Sequence, residues 1–246
     1  MDGWCVVCQR EAQFQVNFEY SHEVDGELTP NWRERLICPH CGLNNRMRAS
    51  MHILQQECAP PSGAALYITE QTTSLFRALH HRYPGIVGSE YLGDSQRRGP
   101  ADRDGIRNED LTQLTFESAR FDHILSFDVF EHVPEYRTGF GECLRCLKPG
   151  GKLVFTVPFT KERSTLVRAR KNGDGSIVHL LSPEYHGDPL SEAGCLTFYH
   201  FGWDLLDDLR RLGFCSVGAL LYWSVEFGYL GGGEQMIFVA SKPEAA

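Results

Sequence analysis

One segment constrains the fold more than any other. Phe121-Asp122-His123-Ile124-Leu125-Ser126-Phe127 is an apolar run that ends at Asp128; after a turn, 134–147 reads as a helix, Lys148-Pro149-Gly150-Gly151 breaks it, and 152–158 is a second apolar run. Strand, helix, strand in that order is the crossover of a parallel sheet. The alternation continues on both sides, with strands expected at 64–69, 86–90, 217–223 and 236–240 and helices at 74–82 and 202–212. In the last helix Leu205, Leu206, Leu209 and Leu212 share one face, an apolar stripe for packing against a sheet. The expected class is therefore α/β, mostly parallel, with a C-terminal hairpin.

At 246 residues the chain suits one full domain with a small appendage. The turn-forming run Cys58-Ala59-Pro60-Pro61-Ser62-Gly63 sets the expected boundary, with a segment 1–58 and a domain 59–246 that carries an irregular insertion at 159–197. The composition, 42% apolar and 23% charged, is that of a soluble globule. No apolar stretch approaches the ~20 residues of a membrane span, so no membrane partner is expected. The opening Met1-Asp2-Gly3-Trp4 lacks the layout of a signal peptide, and a cytoplasmic protein is expected. A net charge of −8 counts against gripping nucleic acid mainly through phosphate charge.

Nine cysteines in a reducing compartment point to metal binding or plain burial rather than disulfides. Cys5-x2-Cys8 and Cys38-x2-Cys41 form two knuckles, and four thiolates are the soft tetrahedral set of a structural Zn²⁺ site. In Cys38-Pro39-His40-Cys41-Gly42 the proline stiffens the entry and the glycine permits the tight turn. Strand-like alternation over 13–20 fits the hairpin of a zinc ribbon. Arg33, Arg35, Arg46 and Arg48 either neutralise the thiolates or face an anionic partner. Cys143 and Cys146 fall on one face of a helix with no partner pair and are assigned to the core.

The run Phe121–Val133, with Asp128-Val129-Phe130-Glu131-His132-Val133 at its end, and Leu147-Lys148-Pro149-Gly150-Gly151 together resemble the class I S-adenosylmethionine-dependent methyltransferases over roughly 64–241. The resemblance implies a Rossmann-like fold, S-adenosylmethionine as cofactor and binding residues at the carboxyl ends of strands. It places Glu90, followed by Tyr91, at the ribose, Asp110 and Leu111 at the adenine, and Asp128 at the methionine end. The family's first turn is glycine-rich. Here it reads Tyr67-Ile68-Thr69-Glu70-Gln71-Thr72-Thr73, with no glycine, so Thr69, Glu70 and Gln71 take that place.

A hydroxyl acceptor must lose its proton, and a histidine is the usual base. Tyr185-His186-Gly187-Asp188-Pro189 in the insertion supplies His186, with Asp188 beside it to stabilise the imidazolium; His132 is assigned a structural part. The cluster Lys161, Arg163, Arg168, Arg170, Lys171 is read as a solvated lid face or a clamp for an anionic substrate. Three functions follow: a methyltransferase acting on an oxygen or nitrogen of a small-molecule or glycan acceptor, an RNA methyltransferase held on by the ribbon, or a non-catalytic module built on the same fold.

Overall fold

The computed structural model describes every residue except 20, 102–104, 234 and 246. The N-terminal segment carries two small hairpins, β1 (Asp2–Cys5) with β2 (Arg10–Gln13) and β3 (His22–Val24) with β4 (Glu27–Thr29). The strand expected over 13–20 is replaced by the end of β2 and a single bridge between Gln15 and Ile37; Tyr20 lies outside the described residues.

The remaining elements are α1 (Asn45–Glu57), β5 (Leu66–Ile68), α2 (Ser74–Arg82), β6 (Val87–Gly88), β7 (Phe121–Phe127), α3 (Tyr136–Cys146) and β8 (Leu147–Thr156). Short strands follow, β9 (Leu166–Val167), β10 (Ala169–Lys171), β11 (Ile177–His179), β12 (Tyr185–Asp188), β13 (Ser191–Leu196) and β14 (Tyr199–His200), then α4 (Asp204–Leu212), β15 (Cys215–Tyr222) and β16 (Gln235–Ser241). No described helix is long and apolar enough to cross a membrane.

The central sheet has the order β15-β16-β8-β7-β5-β6. β6, β5, β7 and β8 are parallel, and β16 is inserted antiparallel between β8 and β15. The Rossmann-like expectation and its C-terminal hairpin are both met. The chain leaves β5 toward β6 and later returns to the other side of β5 as β7, and a crevice opens where the winding reverses.

Period-two alternation sorts the strand side chains between two layers. Leu153 and Phe155 join Phe140, Cys143 and Leu205 in one buried cluster, while Val154 joins Leu66, Leu75 and Leu79 in the other. Cys143 and Cys146 are fully buried in the first cluster, as their helical spacing predicts, and Leu205, Leu206 and Leu209 pack there too. α1 belongs to the second cluster through Ala49, Met51, Ile53 and Leu54. The packing that supports the sheet thus begins upstream of the turn at 59–63.

The insertion is more ordered than its polar sequence suggests. β10 pairs with β11, β12 with β13, and β9 with β14, all antiparallel. These strands are short and mostly exposed, so they lack the apolar alternation that marks a half-buried strand.

Candidate functional site

A cleft of about 1260 Å³ opens at the carboxyl ends of β5 and β7. Its lining includes Thr69, Glu70, Glu90, Tyr91, Asp110, Leu111, Asp128 and His186, which are far apart in sequence. Gln71 is absent from that lining. Its side chain turns away to hold the next loop, donating from Nε2 to the Gly105 carbonyl at 2.7 Å and accepting from the Arg107 N–H at 3.0 Å.

The turn without glycine is held by Glu90. Its Oε1 accepts from the N–H groups of Gln71 and Thr72, each at 2.7 Å, and from the Thr72 hydroxyl at 2.8 Å. All three bonds fall on one carboxylate oxygen, so Oε2 is left for another donor. None of residues 69–73 has a positive φ, so the turn needs no glycine of its own. The close approach is granted from the other side: a Cβ at Gly88 would sit 2.7 Å from the Glu70 carbonyl oxygen and 2.6 Å from the Phe76 ring. Thr69 is buried and donates to Ser126 Oγ at 3.0 Å, tying the turn to β7. Thr73 caps α2 by accepting from the Phe76 N–H, which frees Glu70 from the capping part open to it in sequence.

Glu70 is 9% exposed and its Oε1 has no hydrogen-bond partner. Burial pushes its pKa up to about 7, with Thr73 and Arg46 acting in the opposite direction. Opposite it stands Asp128, whose backbone takes a positive φ of 55°. Arg33 grips that carboxylate bidentately with both contacts at 2.7 Å, Arg46 Nε lies 3.2 Å away, and Thr156 donates at 2.8 Å. Burial alone would raise the Asp128 pKa, but the two guanidinium groups outweigh it and hold the carboxyl well below the usual range. Glu34 ties the arginines together, 2.8 Å from Arg33 and 2.9 Å from Arg46.

This arrangement divides the four arginines, which the sequence reads as neutralising the sulfurs or forming one basic face: Arg48 feels the charge of Cys5, Cys38 and Cys41, and the others are engaged elsewhere. Arg33 and Arg46 point into the cleft, Arg35 pairs with Glu19, and Arg48 is fully buried over the Phe14 ring, donating to the carbonyls of Leu36 and Gly228. Their approach to β7 needed long-range contact and had no sequence signal beyond a cluster of positive charge.

At one end of the cleft, Asp110 Oδ1 accepts from the N–H and hydroxyl of Thr112 and Oδ2 pairs with Arg98 at 2.9 Å. Leu111 is buried beside it, and Tyr91 stands 57% exposed at the mouth.

At the other end lie His132, His186 and Glu131. His186 faces Glu131 Oε1 through Nδ1 at 3.5 Å and Glu184 through Nε2 at 3.1 Å. The Glu131 carboxylate raises the His186 pKa, with burial opposing. Asp188 instead accepts from the Leu190 N–H in a local turn. The acids that orient His186 are thus Glu131 and Glu184, a correction to the expected neighbour, because the hairpin folds His186 back onto the turn after β7. His132 also lines the cleft, and its Nδ1 bonds the Leu196 carbonyl at 2.9 Å. Adjacent Glu131 and His132 are visible in the sequence; their meeting with a residue 54 positions further on is not.

The sulfurs of Cys5, Cys8, Cys38 and Cys41 lie within 4.8 Å of one another, with Cys5 to Cys41 at 3.9 Å and Cys8 to Cys38 at 3.8 Å. Sulfurs at ~2.3 Å from a tetrahedral Zn²⁺ stand ~3.8 Å apart, so the donor set fits that ion. Gly42 takes the left-handed conformation in the second knuckle; in the first, Gln9 takes the equivalent place at φ 52°.

The family model described as a methyltransferase domain matches residues 69–155, from the turn after β5 into β8. Those residues are therefore similar to a methyltransferase domain. Over 48 residues it is 40% identical to the ubiquinone biosynthesis O-methyltransferase of Coxiella burnetii, a match that spans 20% of this chain and 20% of that enzyme. Among solved structures, an S-adenosylmethionine-dependent methyltransferase of Mesorhizobium loti is 18% identical with a TM-score of 0.49, covering 79% of this chain and 98% of its own. The 1,6-didemethyltoxoflavin-N1-methyltransferase of Burkholderia thailandensis, solved with 1,6-didemethyltoxoflavin and S-adenosylhomocysteine, is 16% identical with a TM-score of 0.47, covering 80% of this chain and 78% of its own.

Proposed function

We propose that the protein is an S-adenosylmethionine-dependent methyltransferase acting on a hydroxyl of a small-molecule acceptor, with a structural Zn²⁺ on its four N-terminal cysteines. The observation that carries the reading is the chemistry facing the methyltransferase-domain crevice. A buried carboxylate with an unpartnered oxygen, Glu70, feels the charge of Arg46 and shares the cleft with Arg33, and an amino acid's ammonium and carboxylate are the complement of such a set.

In this reading Glu70 accepts from the methionine ammonium, and Arg33 with Arg46 gives up part of its contact to Asp128 to donate to the methionine carboxylate. Glu90 Oε2 accepts from the ribose hydroxyls while Oε1 keeps the turn in place. Leu111 contributes apolar surface for the adenine, Asp110 borders its edge, Tyr91 closes the mouth, and Thr69 and Gln71 fix the turn from either side. Bound there, S-adenosylmethionine supplies a methyl group on a sulfonium centre, an electrophile that needs no activation. The chain's own tasks are to align the acceptor, exclude water and take up a proton. His186, held between Glu131 and Glu184, is placed to promote loss of that proton. A carboxylate-backed histidine is of use to a hydroxyl acceptor, whose oxygen is a poor nucleophile until the proton leaves.

The arginines that an RNA reading would place on the surface are engaged internally, which favours the small-molecule reading. Isothermal titration with S-adenosylhomocysteine tests the cofactor assignment. Arg33→Ala is expected to weaken binding about tenfold or more, since a charge-assisted bidentate contact is worth ~1.5–3 kcal/mol. No binding at millimolar ligand, or equal affinity in the variant, would refute it.

A further inference from the structure

Glu131 is fully buried, and neither oxygen of its carboxylate has a hydrogen-bond partner. A desolvated carboxylate left in this state costs several kcal/mol unless a cation compensates it. What faces it are two imidazole nitrogens, His186 Nδ1 at 3.5 Å and His132 Nε2 at 3.7 Å. Both contacts are too long to be good hydrogen bonds.

The far side of each ring decides what those nitrogens carry. His132 Nδ1 lies 2.9 Å from the Leu196 carbonyl, which only accepts, so Nδ1 bears the proton and Nε2 of the neutral ring is a bare lone pair. His186 Nε2 lies 3.1 Å from the Glu184 carboxylate, so in the neutral ring, the form a metal ion takes, it too donates and leaves Nδ1 bare. Glu184 is itself held by His200 Nε2 at 2.8 Å and by Arg168 at 3.1 Å. A carbonyl behind one histidine and a carboxylate behind the other are the outer-shell partners that orient metal-bound imidazoles. The three inward atoms all lie within 4.8 Å of one another. With metal–ligand bonds of ~2.1 Å, tetrahedral neighbours stand ~3.4 Å apart, close to the 3.5 and 3.7 Å of the two contacts to Glu131, and the edge between the two histidines, within 4.8 Å, draws in on binding.

We infer that Glu131, His132 and His186 bind one divalent transition-metal ion at the acceptor end of the cleft. Two imidazoles and one carboxylate suit Fe²⁺, Co²⁺, Mn²⁺ or Zn²⁺, and three protein ligands leave coordination positions open to the cleft. There the ion binds an acceptor oxygen and lowers the pKa of its hydroxyl, whose proton passes to solvent; His186 then serves as a ligand rather than as the base. Metal binding itself does not depend on the methyltransferase reading.

Protein carrying a single equivalent of Zn²⁺, which the four cysteines hold, is titrated with Co²⁺ and followed by visible spectroscopy. One equivalent is expected to bind with ligand-field bands and without the sulfur-to-cobalt charge-transfer bands that displacement at the cysteines would give. His186→Asn and Glu131→Gln are each expected to weaken binding at least tenfold, and Glu184→Gln by ~10–100-fold through loss of the outer partner. His186 sits on a half-buried hairpin, so its variant keeps the test valid if Glu131→Gln fails to fold. No second metal at millimolar Co²⁺, charge-transfer bands alone, or unchanged affinity in His186→Asn overturns the inference.

Discussion

Replacing Glu70 by glutamine should stabilise the protein, and by an amount that depends on pH in a set direction. The ordinary glutamate value is near 4.5 and burial pushes Glu70 up to about 7. Below pH 4.5 folded and unfolded chains both hold the proton, and the group contributes nothing. Between 4.5 and 7 the unfolded chain releases the proton while the folded chain keeps it, so stability falls as pH rises, and above about 7 the loss is complete. At ~1.4 kcal/mol per tenfold difference in proton affinity, the gap amounts to ~3 kcal/mol. The glutamine side chain is close to isosteric with glutamate and never ionises. The advantage of Glu70→Gln over the parent should be near zero at about pH 4 and approach ~3 kcal/mol at about pH 8. Taking the difference between the two proteins cancels the opposite trend from Asp128, whose depressed pKa makes it stabilising above its unfolded value. Urea unfolding at the two pH values reads this as a midpoint shift of ~1 M at the higher pH for a slope of ~3 kcal/mol/M. An advantage that is equal at both pH values, or absent at pH 8, would refute the reasoning. A cationic group bound at Glu70 relieves the same penalty, so S-adenosylhomocysteine binding near pH 6 should release a proton, seen as a dependence of the binding enthalpy on buffer ionisation enthalpy.

Two further outcomes follow from the geometry. Metal analysis should find about one zinc per chain fewer in Cys38→Ser than in the parent, together with cooperative unfolding of the N-terminal segment, while Cys143→Ser keeps the parent's zinc because that thiol is buried in the sheet core; equal zinc in both variants would refute the assignment. Gly88→Ala should lower stability by ~1–3 kcal/mol and weaken S-adenosylhomocysteine binding, since the new methyl would press on the Glu70 carbonyl and the Phe76 ring; thermal melts and titration check it, and an unchanged melt would show that the turn yields without cost.

The strongest sequence signals were local ones. The interval Ser74–Arg82 is helix over its whole expected length, and β7 coincides with the apolar run Phe121–Phe127, because periodicity and flanking turn residues act within a few positions. Lys148-Pro149-Gly150-Gly151 was expected as a break, but β8 already begins at Leu147 and runs through it, with Gly150 in the left-handed conformation. α1 had no counterpart in the sequence reading. Its buried face includes polar Asn45, Arg48 and Ser50 beside the apolar residues, so no clean stripe marks it, and its burial comes from the sheet it packs on.

The site divides in the same way. Two C-x2-C pairs mark a candidate metal-ligating set by themselves, since the spacing within each knuckle is a local property of the backbone, and the structure brings the four sulfurs together. As candidates lining the cleft, Glu90 and Asp128 follow from where β6 and β7 end, and Asp110 from the resemblance to a known family. What these side chains face was decided elsewhere. Arg33 and Arg46 reach Asp128, the glycine that gives the first turn its room is Gly88 on the neighbouring strand, and a hairpin returns His186 to Glu131 and His132. Sequence determined the elements, because hydrophobic periodicity and turn chemistry are short-range. Tertiary structure decided charge compensation and ligand geometry, because a Coulombic or coordinate contact depends on distance in space and leaves no periodic mark along the chain.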